Sequence, residues 1–129
     1  EYNISIVVES SGEYKLNEYS YEKGVELLTN TQNKNISQEQ FQLLEEFILY
    51  ETEFIYEQED LSTDENILDA PTAFIQVNFE NESFKRGGYY PFKNKSTALC
   101  SLFSRFGLMG IPIECAYSID ITISCTLLK

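Results

Sequence analysis

The chain of 129 residues is 43% hydrophobic and 14% aromatic, and it carries a formal net charge of −12. This length predicts a single domain, spanning residues 1–129, with enough apolar side chains for one core. The composition excludes a disordered chain, and no apolar run approaches the roughly 18 residues of a membrane-spanning helix. The acidic balance argues against a nucleic-acid binder, which needs clustered cations.

Histidine is absent, and three cysteines are present, Cys100, Cys115 and Cys125. The missing histidine removes the commonest general base and the commonest metal ligand. An odd number of cysteines is poor evidence for a disulfide framework, and three cysteines without histidine suit zinc badly. We therefore expect reduced, buried thiols, no cofactor or metal, and a cytoplasmic protein, with a removed leader segment as the alternative.

Three segments alternate apolar and polar residues with the period of a β-strand, at 2–9, 73–80 and 116–127. Residues 84–92 form a candidate partner strand, interrupted at Gly87 and Gly88. One apolar and one small-polar face is typical of an antiparallel sheet covered on one side. The sequence thus predicts an α+β fold, with an antiparallel sheet of at least three or four strands and helices packed on one face.

The clearest helix signal begins at Ser37, which together with Gln40 forms a capping-box pattern. It predicts a helix over residues 37–50, with Glu45 and Glu46 pointing outward. Residues 51–57 fit either a helix or a strand.

Two further helices and one loop complete the prediction. The first helix covers about residues 19–30, and the second begins at Ser96 or Thr97 and ends at Gly107 or Gly110. A polar loop over residues 58–71 lies between them.

Charge is distributed unevenly along the chain. Residues 35–84 contain thirteen acids and no Lys or Arg, whereas residues 1–34 have six acids and three bases, and residues 85–129 two acids and six bases. The acidic stretch is either a solvated surface or a negative field that steers a basic partner. We predict the second, with these partner-binding carboxylates: Glu45, Glu46, Glu53, Glu57, Glu59, Asp60, Asp64, Glu65 and Asp69.

Four cations interleave with four aromatic residues over residues 84–95. In a basic protein this pattern would indicate a surface for single-stranded nucleic acid, but the acidic remainder opposes that interpretation. The alternatives are aromatic packing under the sheet edge, with the cations paired to the acidic stretch, or an interaction hot spot. The hot-spot hypothesis adds Arg86, Tyr89 and Tyr90 to the partner-binding residues.

Two carboxylate patterns are candidates for catalysis or metal binding. Oxygen ligands at Asp60, Ser62 and Asp64 begin a calcium loop, but Glu65 and Pro71 occupy the positions that require Gly and Glu.

The second pattern is the polar face of the predicted sheet. There, Glu80 and Asp120 are candidates for paired acid–base carboxylates, with a docking surface as the alternative.

The profile is similar, in composition rather than in motif, to small stoichiometric inhibitors such as the bacterial immunity proteins that neutralise basic toxin nucleases. We therefore expect a non-enzymatic acidic module that binds a basic protein partner and no nucleic acid. The alternatives are a carboxylate-based, metal-dependent hydrolase and a secreted or cell-surface ligand-binding module.

Overall fold

A computed structural model describes residues 2–64, 70–91, 97–110 and 118–125. Six strands form one sheet in the order β3-β2-β1-β6-β4-β5. They are β1 Tyr2–Val8, β2 Glu13–Glu22, β3 Val25–Asn35, β4 Thr72–Asn78, β5 Ser83–Tyr89 and β6 Ser118–Ser124. Helix α1 spans Gln38–Glu46 and helix α2 spans Thr97–Leu108. The fold is α+β, as the sequence predicts.

The sheet is mixed, so the prediction of an antiparallel sheet is wrong. Strand β6 lies between β1 and β4 and pairs in parallel with both. Antiparallel pairs flank this centre, with β2 and β3 on one side and β5 on the other. The alternating pattern did not reveal the parallel pairs, because a parallel strand with only one covered face has the same period of two.

The core lies against one face of the central strands. Ile121 of β6 is in register with Ile6 of β1 and Ile75 of β4, and all three are almost fully buried. The same apolar cluster contains Phe41 of α1 and Phe106 of α2. The predicted inward faces of these three strands are therefore confirmed.

Helix α1 begins where the sequence predicts. The Ser37 hydroxyl accepts a hydrogen bond of 3.0 Å from the Gln40 N–H, and the Ser37 N–H donates one of 3.0 Å to Gln40 Oε1. These two bonds satisfy N–H groups that have no partner within the helix. The capping box is confirmed.

The chain after α1 is neither a continuous helix nor a strand. A π-helical turn covers Phe47–Glu51 and a 3-10 turn covers Phe54–Tyr56. Between them, the Thr52 hydroxyl donates to the Ile48 carbonyl at 3.1 Å and accepts from the Phe54 N–H at 3.2 Å. The Thr52 side chain therefore caps the end of the first turn and the start of the second.

The predicted helix at 19–30 is wrong, because these residues lie in the hairpin of β2 and β3. Lys23 and Gly24 form the turn, and both have positive φ, of 53° and 79°, as a two-residue hairpin turn requires. The apolar residues that suggested a helix, Val25, Leu27 and Leu28, are exposed near the hairpin tip.

Helix α2 ends near the predicted glycines. The N–H of Gly110, with φ of 79°, donates to the Gly107 carbonyl at 3.0 Å. The cap predicted at Ser96 or Thr97 lies outside the described side chains.

Candidate functional site

The acidic segment, residues 46–60, begins at the last residue of α1 and leads to the edge of the sheet. Its exposed carboxylates belong to Glu46, Glu51, Glu53, Glu59 and Asp60, and Glu57 is half-buried. No Lys or Arg occurs anywhere in residues 35–84. The segment therefore presents negative charge that no neighbour in sequence neutralises.

The inner side of the acidic segment is fixed in the core. Ile48 and Phe54 are fully buried, and Ile55 is nearly so. Residues with so little exposure hold the backbone of two short, irregular turns in one place. The exposed carboxylates consequently project from an ordered backbone.

Glu45 does not belong to this surface, so the prediction that it points outward is wrong. Its side chain is only 5% exposed and contacts Cys125. Burial and the neighbouring Glu45 carboxylate raise the pKa of Cys125 to about 12. The signal was present in the sequence, because Glu45 shares the helical stripe of Phe41, Leu44 and Ile48.

Arg86 is also buried, at 7% exposure, so it is not a surface hot spot. It lies opposite Ile75 in the β4–β5 pair, and it therefore faces the core side of the sheet. Its guanidinium donates hydrogen bonds to the carbonyls of Ile55 and Lys85. Within the described residues, Arg86 therefore links the acidic segment to strand β5.

The end of the acidic segment runs along the outer edge of β5. The Leu61 N–H donates to the Gly87 carbonyl at 2.9 Å, and the Thr63 N–H donates to the Tyr89 carbonyl at 2.9 Å. Gly88, with φ of 154°, leaves no room for a Cβ atom, which would collide with the Ser62 hydroxyl. This close approach covers the C-terminal half of the strand edge.

Asp60 lies where the acidic segment meets this edge, and it remains exposed. Its carboxylate accepts the N–H of Ser62 at 2.9 Å. Hydrogen bonds from the Ser62 side chain and backbone lower the pKa of Asp60. Asp64 is exposed as well, whereas Glu65 and Asp69 lie outside the described residues.

Tyr89 and Tyr90 are half-buried and tied to the loop before β4. The Tyr89 hydroxyl accepts the N–H of Ala70 at 3.2 Å, and the Tyr90 N–H donates to the Pro71 carbonyl at 2.8 Å. These contacts give both residues a structural role. Their predicted role in binding a partner remains a prediction.

A cleft of about 660 Å³ opens beside β5 on the polar face of the sheet. Its lining includes Phe74, Gln76, Lys85 and Tyr89. The Lys85 ammonium lies 4.8 Å from the centre of the Phe74 ring, which is cation–π geometry. The cleft thus combines an aromatic wall with amide, hydroxyl and cationic groups.

The predicted carboxylate pair is not formed. Asp120 is in register with Phe74, whereas Glu80 lies six positions beyond Phe74 in the β4–β5 turn. That separation is about 20 Å along a strand, and paired acid–base carboxylates need roughly 5–10 Å. Across the described parts of the chain, no group of three Cys, Asp or Glu side chains could hold a metal ion.

Two residues of the surface were missed from the sequence. Tyr50 is 77% exposed and Tyr56 is 75% exposed, and both lie among the carboxylates of the acidic segment. Both fall outside the helical stripe of buried residues, which was the available signal.

The chain matches no protein-family model and no curated protein sequence. Neither helix in the described part of the chain is long and apolar enough to cross a membrane.

Proposed function

We propose that this protein is a small acidic protein-binding module. In this proposal it acts as a stoichiometric inhibitor of a basic partner, such as a toxin nuclease, in the manner of bacterial immunity proteins. The observation that carries the proposal is the set of exposed carboxylates on the acidic segment, within fifty residues that contain no Lys or Arg. Among the described residues, the proposed partner-binding carboxylates are Glu46, Glu51, Glu53, Glu57, Glu59, Asp60 and Asp64, and the predicted Glu65 and Asp69 stay in the proposal.

Electrostatics gives such a surface a definite kinetic effect. Like charges collected on one surface attract a cationic partner and raise the association rate by about 10- to 1,000-fold at low salt. The attraction fades once the screening length falls below about 8 Å. The substrate-binding groove of a nuclease is cationic because it binds phosphates. An acidic surface of this kind is complementary to such a groove.

The packing of the helices belongs to the same proposal. Residues of both helices share one apolar cluster with the buried face of the sheet, which supports placing α1 and α2 together over that face. The opposite face would then remain open to solvent.

The proposed location is the cytoplasm. Free Cys100 and Cys125 suit its reducing conditions.

A ligand-binding module is the second candidate, and the cleft beside β5 favours it. Phe74, Gln76 and Lys85 offer an aromatic surface, a hydrogen-bonding amide and a cation. A hydrolase is not proposed, because Glu80 and Asp120 are too far apart to act as a pair.

Affinity purification followed by surface plasmon resonance tests the inhibitor proposal. A triple variant with Glu51→Lys, Glu53→Lys and Glu59→Lys is compared with a control carrying Glu9→Lys, Glu13→Lys and Glu22→Lys. All six positions are exposed, and both variants change the net charge equally. We expect a basic partner whose association slows several-fold with the first variant and changes less with the control. An acidic partner, or association that is indifferent to salt, would contradict the proposal.

A further inference from the structure

Tyr50 and Tyr56 are much more exposed than tyrosines used in packing. They expose 77% and 75% of their surface, whereas Tyr14 exposes 4% and belongs to the core. Single exposed apolar residues are ordinary on protein surfaces. Here two lie within one seven-residue stretch, and the exposed Glu51 and Glu53 lie between them in sequence, so one short segment exposes both aromatic rings and carboxylates.

The backbone beneath these tyrosines is held from several directions. Phe54 and Ile55 are buried between them, and Thr52 bonds to both turns. Arg86 donates to the Ile55 carbonyl, one residue before Tyr56. A surface that is already ordered loses little conformational freedom on binding, which favours affinity.

Tyrosine is one of the residue types that most often supply binding energy in protein interfaces. Its ring attracts cations at its face, and Arg is the cation found there most often. Carboxylates beside the ring add charge-assisted hydrogen bonds to the same guanidinium. The combination of Tyr50, Glu51, Glu53 and Tyr56 is therefore complementary to arginine side chains.

We propose that Tyr50 and Tyr56 are the anchors of the protein-binding surface, and that they receive arginine side chains of the basic partner. Glu51 and Glu53 pair with the guanidinium groups beside each ring. Tyr50 and Tyr56 are six positions apart, which is at most about 20 Å of backbone, so both anchors fit within one interface of ordinary size. This inference rests on the proposed function, and it replaces Tyr89 and Tyr90 as the anchors.

The test uses octa-arginine as the probe and an uncharged Gly-Ser octapeptide as its control. Binding to the full chain is measured by calorimetry over a salt series and mapped by NMR amide shifts. The variants are Tyr50→Ala with Tyr56→Ala, the ring-preserving Tyr50→Phe with Tyr56→Phe, and Glu51→Gln with Glu53→Gln. Tyr21→Ala, which removes another exposed tyrosine on β2, is the matched control.

We expect octa-arginine to bind the wild-type chain and to shift the amides of residues 50–57. Removing both rings should weaken binding about tenfold with little change in salt dependence, whereas the Phe variant and Tyr21→Ala retain it. The Gln variant should weaken binding and flatten the salt dependence. Near-ultraviolet circular dichroism checks that each variant is folded.

The opposing outcomes separate the two proposals. If octa-arginine binds and the Gln variant weakens it, but the double Ala variant does not, the tyrosine anchors are refuted and the acidic surface stands. If octa-arginine does not bind the wild-type chain, or shifts other amides instead, both the anchors and the acidic binding surface are refuted.

Discussion

The guanidinium of Arg86 donates a hydrogen bond of 3.1 Å to the carbonyl oxygen of Ile55, thirty-one residues earlier in the chain. It also donates to the Lys85 carbonyl at 2.9 Å. The rings of Phe54 and Phe84 lie 5.9 and 5.4 Å from its central carbon. One buried cation thus links the 3-10 turn of the acidic segment to strand β5.

Removing this link should loosen the acidic segment. We expect Arg86→Met to lower the free energy of unfolding by about 2–3 kcal/mol, because it leaves the buried Ile55 carbonyl without its donor. Hydrogen exchange at residues 54–57 should accelerate. Urea denaturation measures the first effect and mass spectrometry of exchanged peptides the second. The control is Lys85→Met on the exposed face of β5; equal stability of the two variants would contradict this role for Arg86.

The capping box makes α1 depend on Ser37. Ser37→Ala should lower the free energy of unfolding by about 1 kcal/mol, because the Gln40 N–H loses its acceptor. Gln42→Ala, at an exposed position of the same helix, serves as the control and should leave stability unchanged or slightly raised. Thermal melting at neutral pH checks both variants. A Ser37→Ala midpoint equal to that of the control would show that the cap contributes nothing.

Asp60 and Asp120 should affect stability with opposite signs. Hydrogen bonds from Ser62 lower the pKa of Asp60, so its stabilising contribution is present above the unfolded-state pKa and disappears as pH falls through the folded-state pKa. Although the Asp120 side chain keeps an exposed surface, partial desolvation on the sheet raises its pKa; Lys85 opposes the shift and Glu26 adds to it. Asp120 therefore stabilises the fold at acidic pH and loses that contribution as pH rises through its folded-state pKa.

The expected result at pH 7 is a lower melting temperature for Asp60→Asn and a higher one for Asp120→Asn. The difference for Asp120→Asn should vanish below the unfolded-state pKa of Asp120, and that for Asp60→Asn only as pH falls through the lowered folded-state pKa of Asp60. Melting curves from about pH 2.5 to 7 measure both differences. This interval brackets the unperturbed pKa of Asp, about 3.9. If both variants change the melting temperature at pH 7 in the same direction, the opposite pKa shifts of Asp60 and Asp120 are wrong.

The two described thiols should react at different rates. Burial raises the pKa of Cys125 to about 12, and burial with Glu57 raises that of Cys100 from 9.0. In a Cys115→Ser background, Cys100, which is half-buried, should be labelled first, and Cys125 only on unfolding. Thiol labelling at pH 8 over a urea series checks this. Rapid labelling of Cys125 in the native protein would contradict its burial beside Glu45.

The same shift predicts a loss of stability in alkali. The folded state keeps the Cys125 proton more tightly than the unfolded chain does, so this contribution is complete below about pH 9. It is lost as pH rises toward 12. Cys125→Ala should remove this part of the alkaline destabilisation, which melting curves between the two pH values would measure.

Local patterns predicted the elements whose alternate residues meet the core. Strands β1, β4 and β6 were found because Ile6, Ile75 and Ile121 recur with a period of two. The β2–β3 hairpin was missed because the apolar residues Leu27 and Leu28 suggested the buried face of a helix. Both are in fact exposed. Strand direction depends on which strands meet after the chain has crossed the sheet, and no local pattern encodes that.

The candidate surface was predicted by charge but not by geometry. The absence of bases over residues 35–84 identified the acidic stretch, and the structure shows which of its carboxylates are exposed. Charge alone could not separate exposed Glu46 from buried Glu45, its neighbour in sequence. Nor could it show that Arg86 lies inward, which follows from its register opposite Ile75 of β4, or that Tyr50 lies outward, which depends on the irregular turn after α1.

The two edge strands of the sheet, β5 and β3, differ in how far their hydrogen-bonding edges are covered, and this limits self-association. At one end, Leu61 and Thr63 already occupy the hydrogen-bonding groups of Gly87 and Tyr89. At the other end, β3 is the terminal strand of the described sheet. A fibre grows by strand addition only when each copy offers two free edges. Copies joined through β3 would use that edge on each other, and within the described sheet further strand addition would be limited to the N-terminal half of β5.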